Sequence, residues 1–260
     1  NKKFKKSNRT SSVSVSFSRT LKKDKANIIS VKQEVINLSV SSWHNHIENL
    51  KPLNETIFDR LKEVSNEIIF ADSTGLELSG YKFLTISILF KNLLKNRIKG
   101  QNIGLLMPST VAGAFINYTV LMMGKTAVNL NYTSEIESIK QAINSAQIKT
   151  LISSKKFIEK LELKGINIKD ILDIVEVLYV EDLKAEISKS KALVTFLSVK
   201  FLPNYLLKLI HLIKTKKDDT ALILFSSGSE GIPKGIELSG DNILGNAQQI
   251  ANIINVSNED

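Results

Sequence analysis

The sequence predicts an α/β fold with a largely parallel sheet that helices cover on both faces. From residue 65 onward, short apolar segments alternate with longer amphipathic ones, which is the pattern of repeated strand–helix units. The short segments are mostly apolar rather than alternating, and strands of this kind are buried on both faces. Apolar residues make up 43% of the 260 residues, which is enough for a large core.

The elements before this pattern are less regular. Alternation over Val13–Phe17 predicts a short strand, and apolar residues at helical spacing predict an amphipathic helix over Asn27–Asn49. Pro52 interrupts the helical pattern, which resumes over Thr56–Val64. Residues 26–64 are therefore predicted to form a helical segment ahead of the α/β region.

The α/β region follows in a regular order. The predicted strands cover residues 67–71, 102–107, 126–130, 149–152, 174–180 and 220–225. The predicted helices cover residues 79–94, 110–123, 155–163 and 241–254, a segment that begins at residue 134, and two or three pieces within 181–214. Ser79 and Asp241 are predicted N-caps, and Ser134 with Glu137 has the spacing of a capping box.

Composition excludes several classes of function. The chain has no cysteine, so disulfides, thiolate nucleophiles and cysteine-based metal sites are excluded. Its three histidines, His44, His46 and His211, have no metal-binding spacing, and no G-x-S-x-G elbow supports a Ser-His-Asp triad. No apolar segment follows the basic start and no long uncharged apolar run occurs, so we expect neither a signal peptide nor a membrane span.

The positive charge is concentrated at one end of the chain. The formal net charge is +9, and residues 1–25 contribute nine Lys or Arg against one acid, Asp24. The remainder is nearly neutral, which argues against a nucleic-acid-binding protein. Residues 1–25 are predicted to be a basic linker or tail, either solvated or in contact with an anionic membrane surface.

The most informative segment is a Gly-rich and Ser-rich loop that follows the apolar strand 220–225. Gly228 and Gly231 allow positive φ angles, so that successive backbone N–H groups can point into one concavity. Lys234 supplies a positive charge for phosphate oxygens. Short hydroxyl donors come from Ser226, Ser227 and Ser229. These residue types in this order predict a phosphate-binding loop.

Two common phosphate-binding motifs do not fit this loop. A Walker A loop needs G-x-x-x-x-G-K-[ST], whereas Pro233 precedes Lys234 and Gly235 follows it. The dinucleotide fingerprint G-x-G-x-x-G is also absent.

The segment FSSGSEGIPKG resembles the phosphate loop of the adenylate-forming superfamily. The resemblance implies that the loop holds the β- and γ-phosphates of ATP, with Mg²⁺, while a carboxylate attacks the α-phosphate to give an acyl-adenylate. It implies Lys234 as a catalytic residue. The nucleotide-binding residues that it implies are Ser226, Ser227, Gly228, Ser229, Glu230, Gly231, Lys234 and Gly235.

A narrower resemblance starts from Glu230, which stands where most members of the superfamily have Thr. The stretch ALILFSSGSEGIPKGIELS is similar to the synthetase half of bacterial bifunctional 2-acylglycerophosphoethanolamine acyltransferase/acyl-ACP synthetases, as are Asn129–Ser134, 148–154 and Val180–Leu183. This resemblance implies a long-chain fatty acid substrate, acyl carrier protein or coenzyme A as acceptor, and work at the cytoplasmic face of the inner membrane.

The resemblance also implies a domain organisation. Residues 65–260 would be the N-terminal, incomplete portion of the large domain of an adenylate-forming enzyme, because the family's adenine, ribose and magnesium motifs do not occur before Asp260. Residues 26–64 would be the end of a preceding acyltransferase domain. We therefore expect the 260-residue chain alone to form no acyl-adenylate.

Two other functions compete with the ligase. The loop could belong to an ATP-binding module without catalysis, or the chain could be a membrane-docking scaffold that uses residues 1–25 and the apolar stretch 193–213. For 193–213, core packing is the favoured interpretation. Asn131 and Tyr132 are weaker ligand-binding candidates, for which we favour capping and core packing respectively. His44 and His46 lack the acid of an H-x-x-x-x-D motif and are expected on a helix surface.

Overall fold

A computed structural model describes Phe17 and residues 26–48, 50–226 and 233–253, without the side chains of residues 44, 46–48, 252 and 253. The chain divides into two compact units, Asn1–Leu50 and Lys51–Asp260. Residues 13–16 of the predicted strand Val13–Phe17 lie outside the described residues, as do most residues of the predicted basic tail.

The first unit contains one described helix, α1 (Ile28–Glu48), which confirms the helix predicted over Asn27–Asn49. Reciprocal hydrogen bonds start it: the Ser30 N–H donates to Asn27 Oδ1 and the Asn27 N–H donates to Ser30 Oγ, each over 2.9 Å. The apolar side chains near its start, such as Ile28 and Ile29, are exposed.

The second unit carries the α/β fold. Its helices are α2 (Leu53–Glu63), α3 (Gly80–Leu94), α4 (Val111–Met122), α5 (Ile136–Ser145), α6 (Lys155–Leu163), α7 (Lys169–Leu172), α8 (Val180–Ala185), α9 (Lys189–Phe201), α10 (Asn204–His211) and α11 (Gly240–Ile253). A small antiparallel hairpin pairs β1 (Ile68–Ala71) with β2 (Glu77–Ser79). The larger sheet consists of β3 (Asn102–Leu106), β4 (Thr126–Asn129), β5 (Thr150–Ser153), β6 (Glu176–Tyr179), β7 (Thr220–Phe225) and β8 (Gly235–Ser239).

The larger sheet has six strands in the order β6-β5-β3-β4-β7-β8. Every neighbouring pair is parallel except β7 with β8. The predicted largely parallel sheet is therefore confirmed. β2 and β8 were not predicted, because each lies between a turn or loop and a helix and is only three to five residues long.

Helices cover both faces of the sheet. On one face, α3 and α4 pack Leu84 and Ile116 into the core cluster that includes Ile103 of β3. On the other face, α5 and α6 pack Ile143 and Leu161 into a second cluster. Because the helices that follow β3 and β4 lie on opposite faces, the loops at the carboxyl ends of these strands diverge, and an opening forms between them.

Two predicted helix starts are wrong. Helix α5 begins at Ile136 with Glu135 as its N-cap, one residue after the N-cap predicted at Ser134. Helix α11 begins at Gly240, and its start is fixed by Ser239 and Asn242 in place of Asp241. The Ser239 N–H donates to Asn242 Oδ1 over 3.0 Å and the Asn242 N–H donates to Ser239 Oγ over 3.2 Å. Ser79 precedes α3 as predicted but makes no capping hydrogen bond through its side chain.

Candidate functional site

The predicted phosphate loop connects two antiparallel strands. Phe225 at the end of β7 pairs with Gly235 at the start of β8, and the Ser226 N–H donates to the Lys234 carbonyl over 3.0 Å. The loop therefore leaves the carboxyl end of a parallel strand, which is where ligands bind in α/β sheets. Residues 227–232 lie outside the described residues, and with them the predicted site residues Ser227, Gly228, Ser229, Glu230 and Gly231.

At the described ends of the loop, the backbone is fixed by neighbouring strands, whereas the lysine side chain is exposed. Pro233 is buried, whereas the Lys234 side chain is exposed and makes no ion pair with any described residue. A Cβ atom on Gly235 would lie 3.2 Å from Cε1 of Phe225, so a larger residue would press on that ring. The backbone is thus fixed by β7 and β8, while the ammonium group of Lys234 is available to an anionic ligand.

Strand β8 is the element of this site that sequence reasoning missed. Ile236 and Leu238 alternate with Glu237 and Ser239, which is the period of a strand with two different faces. That alternation is the sequence signal by which β8 could have been predicted.

A cleft of about 710 Å³ opens at the carboxyl ends of β3, β4 and β7, beside the root of the loop. Its walls include apolar side chains, Leu105, Leu130 and Leu224 among them, together with the start of α4. Two amides on its wall bond each other: Asn129 Nδ2 donates to Asn117 Oδ1 over 2.9 Å, and Asn117 Nδ2 donates to Asn129 Oδ1 over 3.2 Å. We refer to this opening as the β3–β4 cleft.

A second cleft of about 410 Å³ lies between α5 and the loop. Ser226 and Pro233 of the loop line it together with polar residues before and within α5, including Ser134 and Ser138. Phe225 lines both clefts, so the two openings meet at the root of the predicted phosphate loop.

The structure supports core packing for Tyr132, whereas Asn131 stabilises a turn and is not a helix cap, since the N-cap of α5 is Glu135. Asn131 Oδ1 accepts hydrogen bonds from the Thr133 N–H and hydroxyl, over 3.0 and 2.7 Å, and so stabilises the turn before α5. Tyr132 packs edge-on against Phe157 with 5.0 Å between the ring centroids. Both residues also line the β3–β4 cleft.

The segment Val180–Leu183 has a structural role in this fold. Glu181 accepts hydrogen bonds from the Ser154 hydroxyl over 2.6 Å and from the Lys155 N–H over 3.0 Å, which places a carboxylate at the start of α6. Asp182 forms an ion pair with Lys155 over 2.6 Å. A carboxylate at a helix N-terminus is favourable because the first N–H groups have no partner within the helix.

Asp72 connects the small hairpin to the β3–β4 cleft. Its Oδ2 accepts a hydrogen bond from the Val111 N–H over 2.8 Å, at the first residue of α4. Its other oxygen accepts from the Thr74 hydroxyl and, over 2.9 Å, from the Thr74 N–H. The hydrogen bond from the Thr74 hydroxyl, followed by that from Val111, lowers the pKa of Asp72 below its ordinary value. Sequence reasoning missed this residue because its partner is distant in the chain.

Replacing Asp72 with alanine is expected to destabilise the protein in a pH-dependent way. Because the folded-state pKa is lowered, the stabilisation is complete above the pKa of an unfolded Asp, near 4, and is lost as pH falls through the folded-state value. The difference in Tm between the wild type and Asp72→Ala should therefore be largest near neutral pH and shrink below about pH 4. A difference that stays constant from pH 7 to pH 3 would contradict this role.

The described residues contain neither a cluster of metal ligands nor a membrane-spanning helix. Among them, no group of three or more His, Cys, Asp or Glu side chains is placed to hold a metal ion. No helix within the described part of the chain is long and apolar enough to cross a membrane.

Comparison with known proteins places the chain in a family. The family model for AMP-binding enzymes matches residues 92–260. Among curated proteins, 4-coumarate--CoA ligase-like 6 of Arabidopsis thaliana is 24% identical over 146 residues, which is 56% of this chain and 24% of that protein. Luciferin 4-monooxygenase of Nipponoluciola cruciata is 25% identical over 178 residues, 65% of this chain and 31% of that protein.

Solved structures agree on the fold. The o-succinylbenzoate CoA synthetase of Bacillus subtilis, in complex with its acyl-adenylate intermediate, matches with a TM-score of 0.59 and 16% identity over 81% of this chain and 48% of that one. The crystal structure of VinN matches with a TM-score of 0.59 and 17% identity over 80% of this chain and 51% of that one.

The chain spans 24% and 31% of the two curated relatives and about half of these solved chains. The matched region nevertheless contains all six strands of the larger sheet and the whole predicted phosphate loop. On this evidence the chain belongs to the AMP-binding enzymes, the adenylate-forming family.

Proposed function

We propose that the chain is part of an AMP-forming ligase that activates a carboxylic acid, in the full-length protein, as an acyl-adenylate. The observation that carries this proposal is the position of the predicted phosphate loop. It leaves the carboxyl end of β7 with Lys234 exposed, and the β3–β4 cleft opens beside its root. A cationic loop next to a partly apolar cleft suits a substrate pair of a nucleoside triphosphate and an acid with an apolar body.

In the proposed reaction, a carboxylate oxygen attacks the α-phosphorus of ATP and the bond from that phosphorus to the bridging oxygen breaks. Pyrophosphate leaves with the electron pair of that bond, and the acyl group remains attached to AMP. Lys234 would stabilise the negative charge on the departing phosphates, and backbone N–H groups of the loop would bind the same oxygens. Mg²⁺ would enter with the triphosphate and share its charge.

The proposed acid is a long-chain fatty acid, and the proposed acceptor is the thiol of acyl carrier protein or coenzyme A. The thiol would attack the acyl carbonyl carbon and release AMP. Support for the acid comes from the sequence resemblance around Glu230 and from the apolar part of the β3–β4 cleft. Support for coenzyme A comes from two relatives whose names contain it, a 4-coumarate–CoA ligase-like protein and an o-succinylbenzoate CoA synthetase.

The sequence resemblance extends the proposal to the whole protein. Residues 26–64 would end a lysophospholipid acyltransferase domain, and the fusion would return fatty acids to phospholipids at the cytoplasmic face of the inner membrane. Residues 1–25 would be a linker or would touch the membrane surface.

Acid-dependent ATP–pyrophosphate exchange tests the proposed reaction. We expect the full-length protein to catalyse exchange with long-chain acids such as palmitate, and much less with acetate, because a short acid leaves the apolar wall of the cleft unfilled. Exchange only with short or aromatic acids would contradict a long-chain fatty acid substrate but would still support the ligase reaction. No exchange with any acid would overturn the ligase and favour an ATP-binding module without catalysis.

A further inference from the structure

Helix α9 has two apolar faces on opposite sides. One face is turned toward the core cluster that contains residues of α3, and its Val199 is fully buried there. The other face carries Leu193, Val194, Leu197 and Phe201, all exposed, with Phe201 71% exposed. At about 100° per residue, these four side chains fall within about 100° of the helix circumference. The outer stripe is therefore continuous and is not required by the packing of the second unit.

The exposed apolar residues continue into α10. Tyr205 and Leu209 are 67% and 78% exposed, whereas Leu207 between them is fully buried. Core packing, the favoured interpretation of residues 193–213 from sequence, therefore holds for one side of the two helices and is wrong for the other. We call the outer side the α9–α10 surface and define it by Leu193, Val194, Leu197, Phe201, Tyr205 and Leu209.

The chain segment that carries this surface is basic, and the acidic residues beside it, Glu55 and Asp59 of α2, pair with Lys208 of α10. Residues 187–217 contain seven lysines and no acidic residue. On α9, helical geometry places Lys189 and Lys200 along one edge of the apolar stripe and Lys191 along the other. Lys200 also lies over the Phe201 ring, with its Nζ 5.5 Å from the ring centroid. Lys208 does not belong to this set, because it pairs with Glu55 and Asp59.

An apolar stripe bordered by lysines is the pattern of a helix that lies in a membrane interface. The apolar side chains enter the boundary between headgroups and acyl chains, and the lysines extend toward lipid phosphates. An aromatic residue such as Tyr205 suits the same depth, because its ring is apolar and its hydroxyl is polar. The lysines along both edges of the α9 stripe favour a partner that is negative over a wide area.

From these observations we infer that the α9–α10 surface docks on an anionic phospholipid membrane. This inference does not depend on the proposed ligase reaction or on the basic residues 1–25. An absence of ATP–pyrophosphate exchange would contradict the proposed ligase reaction but not membrane docking. An absence of lipid binding would contradict membrane docking but not the ligase reaction.

Vesicle flotation of the full-length protein tests the inference, with vesicles of phosphatidylglycerol and phosphatidylcholine in equal parts and vesicles of phosphatidylcholine alone. We expect flotation with the mixed vesicles and much less with the neutral ones. Leu197→Glu with Phe201→Glu should abolish it. Leu163→Glu is the matched control, because Leu163 is 89% exposed on α6, on the opposite face of the sheet, and this change should have little effect.

Two triple variants distinguish binding through the lysines of the α9–α10 surface from attraction to the net charge of the whole protein. Changing Lys189, Lys191 and Lys200 to Gln should weaken binding about 100-fold, since each lysine close to an anionic surface strengthens binding roughly fivefold. Changing Lys156, Lys160 and Lys164 on and after α6 to Gln removes the same charge from the opposite face and should weaken binding far less.

Three outcomes would overturn the inference. Equal losses in the two lysine triples would show attraction to net charge alone. Loss of flotation on deletion of residues 1–25, with no effect of the α9 changes, would assign binding to that segment. A changed oligomeric state or a lowered Tm in the Leu197→Glu and Phe201→Glu variant, with unchanged flotation, would show that protein covers this surface.

Discussion

Replacing Lys234 with alanine should lower acid-dependent ATP–pyrophosphate exchange by about 100- to 1,000-fold in the full-length protein. The ammonium group is exposed at the predicted phosphate loop and is unpaired among the described residues, so its charge is available to the departing phosphates. The structural cost of the change should be small. The hydrogen bond that closes the hairpin uses the Lys234 carbonyl, which alanine retains.

Two matched variants give this prediction its specificity. Lys216→Ala removes the same charge from an exposed lysine that precedes β7, at the opposite end of that strand, and should leave exchange unchanged. Lys234→Arg keeps the charge and should retain part of the activity, because arginine binds phosphate with a different geometry. Exchange that is unchanged in Lys234→Ala would remove this residue from the reaction.

The sequence was most informative where one local pattern sufficed. The parallel strands are mostly apolar, and β3, β4 and β7 lie within a residue or two of their predicted positions. Short elements at the edges of the pattern were missed because they are only three to five residues long and adjoin a turn or a loop. β2 has three residues, and β8 is read as part of the connection between a Gly-rich loop and a helix.

The candidate site was likewise predictable only where its residues are contiguous in the chain. The phosphate loop was recognisable because its glycines, serines and lysine are contiguous in the chain. The β3–β4 cleft was not predicted as a unit, because it brings together the ends of β3, β4 and β7, which only the sheet order makes neighbours, with the end of β1 from the separate hairpin. Asp72 shows the same limit, since its carboxylate bonds a helix start that lies 39 residues later.

A close approach of two helices leads to the largest predicted effect on stability. Gly80 begins α3 directly against the end of α2, and a Cβ atom there would lie 2.2 Å from the Leu61 carbonyl oxygen and 2.8 Å from that of Val64. Both contacts are with backbone, so no side-chain rotation can relieve them. We expect Gly80→Ala to lower the free energy of unfolding by about 3 kcal/mol, measured by urea denaturation.

Gly75→Ala separates this steric effect from backbone conformation. Gly75 has a φ of +80° and open space around its Cβ position, so alanine there meets conformational strain without a clash. Its expected cost is about 1 kcal/mol, well below that of Gly80→Ala. Helix α3 packs on α4, which lines the β3–β4 cleft, so a shift of α3 should also disturb that cleft. Equal costs for the two substitutions would mean that α2 and α3 can separate freely, and the close contact at Gly80 would then not determine how α3 is positioned.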